Sequence, residues 1–329
     1  MCNLYITKKD TEISKKRNTL MLRRDNKKIT ELPLLKIDQV VIIGNVSLTG
    51  SAVQLLLKED ISIVYLDYYG NYKGRLVAKN SKNSIFRLKQ FEAYKNKNFK
   101  LKLSKTIVQS KLKNMKVLLQ TSNRKGEFSK SQEDKIQKLT AIINKTDLAG
   151  STAELLGYEG IGSKYYFSQF NKLIKDNFHF DGRNRRPPKD PVNAMLSFGY
   201  SLLLNEIITA LYLTGFDPYL GFLHSVEYSK PALALDLIEE FRQPIVDRLV
   251  KKLINMDMIE QENFEIISEK VLFNEEGRNI FLKAYEDKIL SEISYNETNL
   301  SWRKVIRKQS QLLKKAILND SEYKTVEVR

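Results

Sequence analysis

Apolar residues in the first quarter of the chain come in short runs. Residues 4–6, 19–22, 40–43 and 61–66 are rich in Val, Ile, Leu and Tyr and are separated by polar stretches. Runs of that length and composition predict β-strands, with Arg24-Asp25-Asn26-Lys27 as a polar hairpin turn. One helix interrupts them, because Thr49-Gly50-Ser51 offers a cap and residues 52–57 cluster their apolar positions. Around Asn80-Ser81-Lys82-Asn83 the pattern changes. Beyond this polar stretch the apolar positions recur every three or four residues, the period of a helix. The expectation is an α+β chain: a small β-rich N-terminal domain, residues 1–83, followed by a larger all-helical C-terminal domain, residues 84–329.

Within the helical part, basic helices are expected over residues 85–94 and 101–119, then a polar loop over 122–130. Ser151-Thr152-Ala153-Glu154 has the spacing of a capping box, which places Glu159 near the second turn of the next helix. Gly157, Gly160 and Gly162 in that helix together cost about 2–3 kcal/mol relative to Ala. Close approach of another helix or of a phosphate backbone is the physical reason to lack side chains there. Asp190 and Pro191 form a cap and a favoured first-turn proline, opening a long helix to about residue 213. Its apolar residues fall on most sides, so it should be central and buried. Gly215 ends it, and the turn Asp217-Pro218-Tyr219-Leu220-Gly221 delivers His224. A further helix starts near Pro231. At about 100° per residue, Leu237, Ile238, Phe241, Ile245, Leu249 and Leu253 share its buried side. Glu239 falls at the border of that stripe and Asp236 nearly opposite it.

Charge changes the picture next. Lys and Arg number 55 against 39 Asp and Glu, an excess of 16 positive charges. Nucleic acid, with its regular backbone charge, is the first partner to consider, and a solvated lysine-rich surface is the plain alternative. Lys, Asn and Asp break the apolar stretches before any reaches the roughly 18 residues that span a bilayer. No membrane span is expected, and the first residues lack the apolar core of a secretion signal, so a cytoplasmic location is expected. Cys2 is the single cysteine, which excludes an internal disulfide and a cysteine-based zinc site.

Candidate chemistry is confined to few positions. There are only 2 histidines. His179 lies between Phe178 and Phe180 beside the basic, proline-stiffened loop 183–189, where it would stack or stay partly buried. His224 stands in a turn twelve residues before Asp236 on a carboxylate-bearing helix; a structural histidine is the bland reading. Glu239 suits a half-buried site, or else an ordinary surface ion pair with Arg242. Asp236, three residues before it, would stand behind a ligand or replace one. Glu159, His224 and Glu239 taken together supply two hard oxygens and one nitrogen, a set suited to Mg²⁺ or Mn²⁺, with zinc less favoured.

At these residues the chain resembles the CRISPR-associated integrase and endonuclease family, the Cas "one" proteins of spacer acquisition. The matching segments are Leu156-Gly157-Tyr158-Glu159-Gly160, residues 185–200, Gly221-Phe222-Leu223-His224, and residues 235–242. The resemblance implies a metal site in the helical domain, with Glu159, His224 and Glu239 as catalytic ligands of Mg²⁺ or Mn²⁺ and Asp236 as the adjacent acidic position. It implies joining of a DNA 3′-hydroxyl to a phosphodiester of the CRISPR repeat by transesterification, with cutting when water is the nucleophile. The implied partners are double-stranded DNA, a second copy of the chain held through the β-rich domain, and a small ferredoxin-like Cas "two" protein bridging two dimers. Arg183, Arg185, Arg186, Lys189 and Arg242 are candidate DNA contacts, with Tyr165 and Tyr166 as stacking or phosphate-bonding groups. Replacing Arg185 and Arg186 by Ala is expected to weaken DNA binding and to lower the slope of log affinity against log salt by about 2. Anisotropy titrations at several salt concentrations read this, and an unchanged slope places the loop away from DNA.

Overall fold

The computed structural model of the chain describes residues 2–68, 70, 72–78, 84–121, 129–184 and 187–326. It divides into two compact units, Met1–Lys82 and Asn83–Arg329. The polar stretch 80–83, most of the loop 122–130, and Arg185 and Arg186 lie outside the described residues.

The first unit holds β1 (Cys2–Ile6), β2 (Thr11–Lys16), β3 (Thr19–Arg24), β4 (Lys27–Pro33), β5 (Ile37–Ile43), β6 (Val46–Leu48), α1 (Gly50–Lys58), β7 (Ser62–Leu66) and β8 (Tyr72–Leu76). They form two four-stranded sheets, ordered β1-β5-β7-β8 and β4-β3-β2-β6. In the first, β1, β5 and β7 run parallel and β8 returns antiparallel. The second is built on antiparallel pairings of β2 with β3 and β3 with β4. Asp25 and Asn26, at φ of 50° and 59°, make the two-residue turn between β3 and β4, the left-handed geometry that matches strand twist. Ile13 and Leu20 of one sheet, Val40, Ile42 and Ile63 of the other, and Ala52 and Leu56 of α1 meet in one core. Sequence patterning does not reveal β2, β4, β6 or β8. Lys, Glu and Thr dominate β2 and β4, and β4 is an edge strand with no fully buried residue.

The second unit contains α2 (Ser84–Lys95), α3 (Lys97–Thr121), α4 (Lys130–Thr146), α5 (Thr152–Phe170), α6 (Pro191–Thr214), α7 (Ala232–Leu237), α8 (Arg248–Asn255), α9 (Glu275–Leu290) and α10 (Trp302–Asn319). Two small hairpins, β9 (Phe264–Ile267) with β10 (Lys270–Phe273) and β11 (Glu292–Tyr295) with β12 (Thr298–Ser301), sit among the helices. Ser151 caps α5 by accepting the Glu154 N–H, and the Glu154 carboxylate accepts from Gly150. Asp190 caps α6, whose buried residues lie on nearly every side. By length and composition α6 could cross a membrane, against the expectation that no segment would, yet 78% of its most apolar window is buried within the protein. Arg303 of α10, buried, binds Glu206 of α6 and Glu286 of α9, each through two nitrogens.

The helix expected to run on from Pro231 is broken. α7 ends at Leu237, a tight turn comes next over Ile238–Glu240, and a wide π-type turn spans Arg242–Asp247 before α8 begins. Pro244 explains the break: it has no N–H, and its ring would collide with the carbonyl four residues back in a regular helix. The 100° wheel therefore fails beyond Leu237, and before it α7 is buried on nearly every side. Asp236, expected opposite the buried side, is fully buried, as are Glu239 and Glu240.

Glycines divide by what surrounds them. A Cβ on Gly162 would collide with Leu112 Cδ2, so α3 and α5 touch there, whereas Gly157 and Gly160 face open space. On Gly221 a Cβ would stand 2.6 Å from the backbone carbon of Ala232. Gly221→Ala is expected to destabilise the protein by about 1–3 kcal/mol, and Gly157→Ala to stabilise it by about 0.5–1 kcal/mol through helix propensity. Denaturant midpoints of the two variants should move in opposite directions.

Glu240 is buried, and accepts from Tyr323 Oη, from Gln309 Nε2 at 2.9 Å and from the Val326 N–H at 3.2 Å. Burial outweighs these bonds and pushes its pKa up to about 7. The folded state thus keeps a proton that the unfolded chain releases near 4.5. That contribution to stability is complete below pH 4.5 and is lost as pH rises through 7. Glu240→Gln, which mimics the protonated form, is expected to remove on the order of 3 kcal/mol of the fall. Chemical denaturation at about pH 5 and about pH 8, on either side of the raised value, measures it, and an equal fall in both proteins would refute it.

Candidate active site

Lys111 occupies the apolar stripe of α3, in line with Ser104, Ile107, Val108, Met115 and Leu118, and its side chain is only 4% exposed. A lysine there needs an anionic partner. It has two. Its ammonium contacts Glu159 Oε1 from α5 and lies 2.6 Å from Glu239 Oε2 in the turn after α7. Ser163, one turn after Glu159, donates to the same Oε1 at 3.3 Å. Glu239 gives its other oxygen, Oε1, to Arg242 Nε at 3.0 Å, and the Arg242 guanidinium lies 4.5 Å from the Tyr200 ring centre. Two cations and two carboxylates therefore alternate in a row whose inner members, Lys111 and Glu239, are buried. Burial by itself would raise the pKa of Glu239, but the charges of Arg242, Lys111 and His224 outweigh it and hold the value at about 2. Both oxygens of Glu239 are thus engaged by cations, Oε2 by Lys111 and Oε1 by Arg242.

His224 is placed by a turn fixed from two sides. Gln90 of α2 accepts from the Asp217 N–H and donates to the carbonyls of Asp217 and Leu220. Asp236 accepts the backbone N–H groups of Phe222, Leu223 and His224 at 2.5, 3.0 and 2.9 Å, and its Oδ1 lies 2.7 Å from His224 Nδ1. A carboxylate that takes three N–H donors is an acceptor toward the ring as well, so Nδ1 carries the proton and Nε2 keeps its lone pair. Asp236 thus stands behind His224, with both oxygens engaged; its reading as a replacement ligand does not fit this arrangement.

Farther along α6 the same region continues inward. Asp247 is fully buried and accepts from Tyr166 Oη at 2.7 Å and Tyr200 Oη at 2.5 Å, and burial pushes its pKa up to about 6. Tyr166 is therefore a core tyrosine, not the surface stacking group expected. Arg183 also turns inward, donating to Asn193 Oδ1 at 2.6 Å and Ser197 Oγ at 3.0 Å, which corrects its reading as an outward DNA contact. Arg242 is 12% exposed and engaged with Glu239 inside the site. Lys189 is exposed. Tyr165 is half-buried, with Lys135 and Lys138 over its ring at 5.3 and 5.8 Å. His179 is exposed, 2.7 Å from Asp181, and takes no part. Lys111 is the member that sequence reasoning missed, although a lysine inside an apolar helical stripe was a readable signal.

Among the described residues, no three His, Cys, Asp or Glu side chains surround one point closely enough to hold a metal ion as they stand. The donor chemistry nonetheless fits a hard divalent cation. Two carboxylates share a single ammonium, whose place a hard cation could take, and the imidazole near Glu239 has its Nε2 available.

Comparison with known proteins adds the family. The sequence profile described as CRISPR associated protein Cas1 matches residues 4–287. A CRISPR-associated endonuclease Cas1 of Thermus thermophilus is 32% identical over 321 residues, covering 96% of this chain and 94% of the relative. A solved Cas1 protein from Thermotoga maritima superposes with a TM-score of 0.84 at 29% identity, covering 99% of this chain and 100% of the other. A casposase bound to integration product superposes with a TM-score of 0.85 at 25% identity, over 99% and 93% of the two chains. A chain of a Cas6-RT-Cas1–Cas2 complex does so with a TM-score of 0.86 at 25% identity, over 99% of this chain and 36% of that one. With a profile match across most of its length and relatives of this similarity, the chain belongs to the CRISPR-associated Cas1 family.

Proposed function

We propose that this protein is a divalent-metal-dependent DNA integrase and endonuclease of CRISPR adaptive immunity. It joins the 3′-hydroxyl ends of a captured double-stranded fragment to the CRISPR repeat by transesterification, and it cuts when water replaces the hydroxyl. The observation that carries the reading is the pair of carboxylates, half-buried Glu159 and buried Glu239, drawn together on one ammonium near an imidazole held by Asp236. The Thermus relative is named an endonuclease and the casposase is bound to an integration product, which supports both halves of the activity.

Glu159, His224 and Glu239 would hold Mg²⁺ or Mn²⁺, which supplies Lewis acidity toward a phosphodiester oxygen. Lys111 and Arg242 keep Glu239 ionised at any working pH, the state in which a hard cation is bound. Asp236 fixes the tautomer of His224 so that Nε2 is the donor atom. Tyr200 braces Arg242 from below, and through Asp247 it ties the row to the core of α6. The partners of this reading are double-stranded DNA, a second copy of the chain joined through the β-rich unit, and a ferredoxin-like Cas2 protein that bridges two dimers. The similarity to a chain of a complex containing Cas1 and Cas2 favours the last. The cytoplasm is the place for such work.

A strand-transfer assay with a labelled 3′-hydroxyl duplex and a repeat-bearing plasmid tests the reading in Mn²⁺. Glu159→Gln and His224→Ala are expected to abolish transfer with melting temperatures near that of the parent. Asp236→Asn should lower it about 10–100-fold. Glu239→Gln should abolish it too, with stability reduced by up to about 3–5 kcal/mol because two buried cations lose a partner. Undiminished transfer by either of the first two variants would overturn the assignment of that residue.

A further inference from the structure

Glu239 and Glu240 face opposite ways. Glu239 meets Lys111, while Glu240 reaches Gln309 and Val326, and these two line a cleft on the other side. That cleft has a volume of about 1000 Å³ and is formed by α10, the β11–β12 hairpin and the C-terminal segment 321–326. None of Lys111, Glu159, His224 or Glu239 borders it.

Its walls are cationic. Arg248 of α8, Lys288 of α9, and Lys315 and Lys324 line it, against two carboxylates, Glu297 and Glu322. Glu322 is paired with Lys102 at 2.8 Å, and Glu297 lies exposed in the hairpin turn. Among the described residues, Lys288 and Lys315 take part in no ion pair with a carboxylate. Lys288 instead lies 5.3 Å from the ring centre of Trp302. Burial, then the charges of Arg248 and Lys252, push its pKa down to about 8. Trp302 is 1% exposed, and its buried Nε1–H has no acceptor among the described residues. The cationic surface continues along α8, where Arg248 also lines a neighbouring hollow with Lys251 and Lys252.

A half-buried ammonium crowded by like charges is a liability that an anion reverses. Each unit charge of the anion restores the attraction that burial and repulsion removed, and in a cleft of reduced dielectric that attraction is larger than in water. Such perturbed groups gathered in a concavity mark binding sites more often than chance surfaces do. The volume suits a ligand of nucleotide size, at the upper end of small-molecule pockets, and it is too small to admit a duplex.

We propose that this cleft binds a phosphate-bearing anion of nucleotide size, a free nucleoside polyphosphate or the phosphorylated end of a single strand, at a site separate from the carboxylate–lysine centre. The inference does not depend on the proposed strand transfer, because binding is read without metal and without chemistry. Trp302 is the only tryptophan of the 329 residues, and its neighbour Lys288 is the group whose environment the anion changes. Tryptophan fluorescence of the full chain is titrated in chelator with a nucleoside triphosphate, with a 5′-phosphorylated tetranucleotide, and with an unphosphorylated nucleoside as control.

Saturable change with either phosphate probe and none with the nucleoside is expected, and the tighter probe names the source. Glu159→Gln should bind as the parent does. Lys288→Met and Lys315→Met should each weaken binding about tenfold. Lys288→Met keeps the side-chain volume and removes an unpaired charge, so its melting temperature should hold or rise. Lys315 is exposed and its replacement leaves the fold in place. No fluorescence change with either probe, or full affinity in both lysine variants, would overturn the proposal.

Discussion

A lysine side chain placed in the interior between two carboxylates constrains much of the helical unit. Removing an ammonium and two carboxylates from water costs several kcal/mol each unless they meet at close range. Lys111 is reached from α5 by Glu159 and from the turn after α7 by Glu239, so three separate elements must converge within salt-bridge distance. The packing allows it. Gly162 comes three residues after Glu159, and the side chain it lacks is replaced by Leu112, the residue next to Lys111. Helix propensity given up at Gly162 thus becomes the close approach of α3 and α5 that the ion row requires.

The break in the helix around Phe241 does the complementary work. In a regular helix, Glu239 and Glu240 would be separated by about 100°, and one of them would tend toward solvent. The tight turn before Phe241 and the wide turn around Pro244 bury both. One carboxylate goes to Lys111 and the other to Tyr323, Gln309 and Val326 near the end of the chain. Asn114, one turn beyond Lys111 on α3, donates to the Glu240 carbonyl at 2.9 Å and so fixes the break itself. Both sides of this segment are therefore held from α3, by a charge on one residue and an amide on the other.

Legibility in the sequence depends on the same physics. Apolar runs and caps are local signals, so the first-unit strands with apolar faces, α1, the cap of α5 and the span of α6 could all be read. β2, β4, β6 and β8 could not, because their stability comes from pairing rather than composition. The wheel put Asp236 toward solvent because it takes one face of a helix to be exposed, whereas α7 is buried nearly all round and the 222–224 turn covers Asp236; beyond Leu237 it failed because Pro244 breaks the helix. Of the candidate site, Glu159, His224 and Glu239 were visible as residue types with local reasons, but only the resemblance to a family joined them. What joins two of them in space is Lys111, more than forty residues before Glu159, and no spacing rule links positions that distant. Tyr166 and Arg183 failed as DNA contacts for a related reason: their partners, Asp247 and Asn193, are brought to them by the tertiary fold.

The charge count inside the site also limits what can bind there. Lys111 and Arg242 balance Glu159 and Glu239, so the row as it stands carries no net charge, and Arg303 is likewise matched by Glu206 and Glu286. The excess of 16 positive charges therefore resides elsewhere, on surfaces such as the exposed Lys189. A divalent cation entering a balanced row adds two uncompensated charges in a region of low dielectric, which is unfavourable by itself. A phosphodiester anion arriving with it offsets part of that charge. Metal and nucleic acid should then each strengthen the binding of the other by the same factor, since coupling between two ligands is reciprocal. Under the proposed function, a lysine where a simple metal centre would have none would couple occupation of the carboxylates by a metal to the arrival of the substrate.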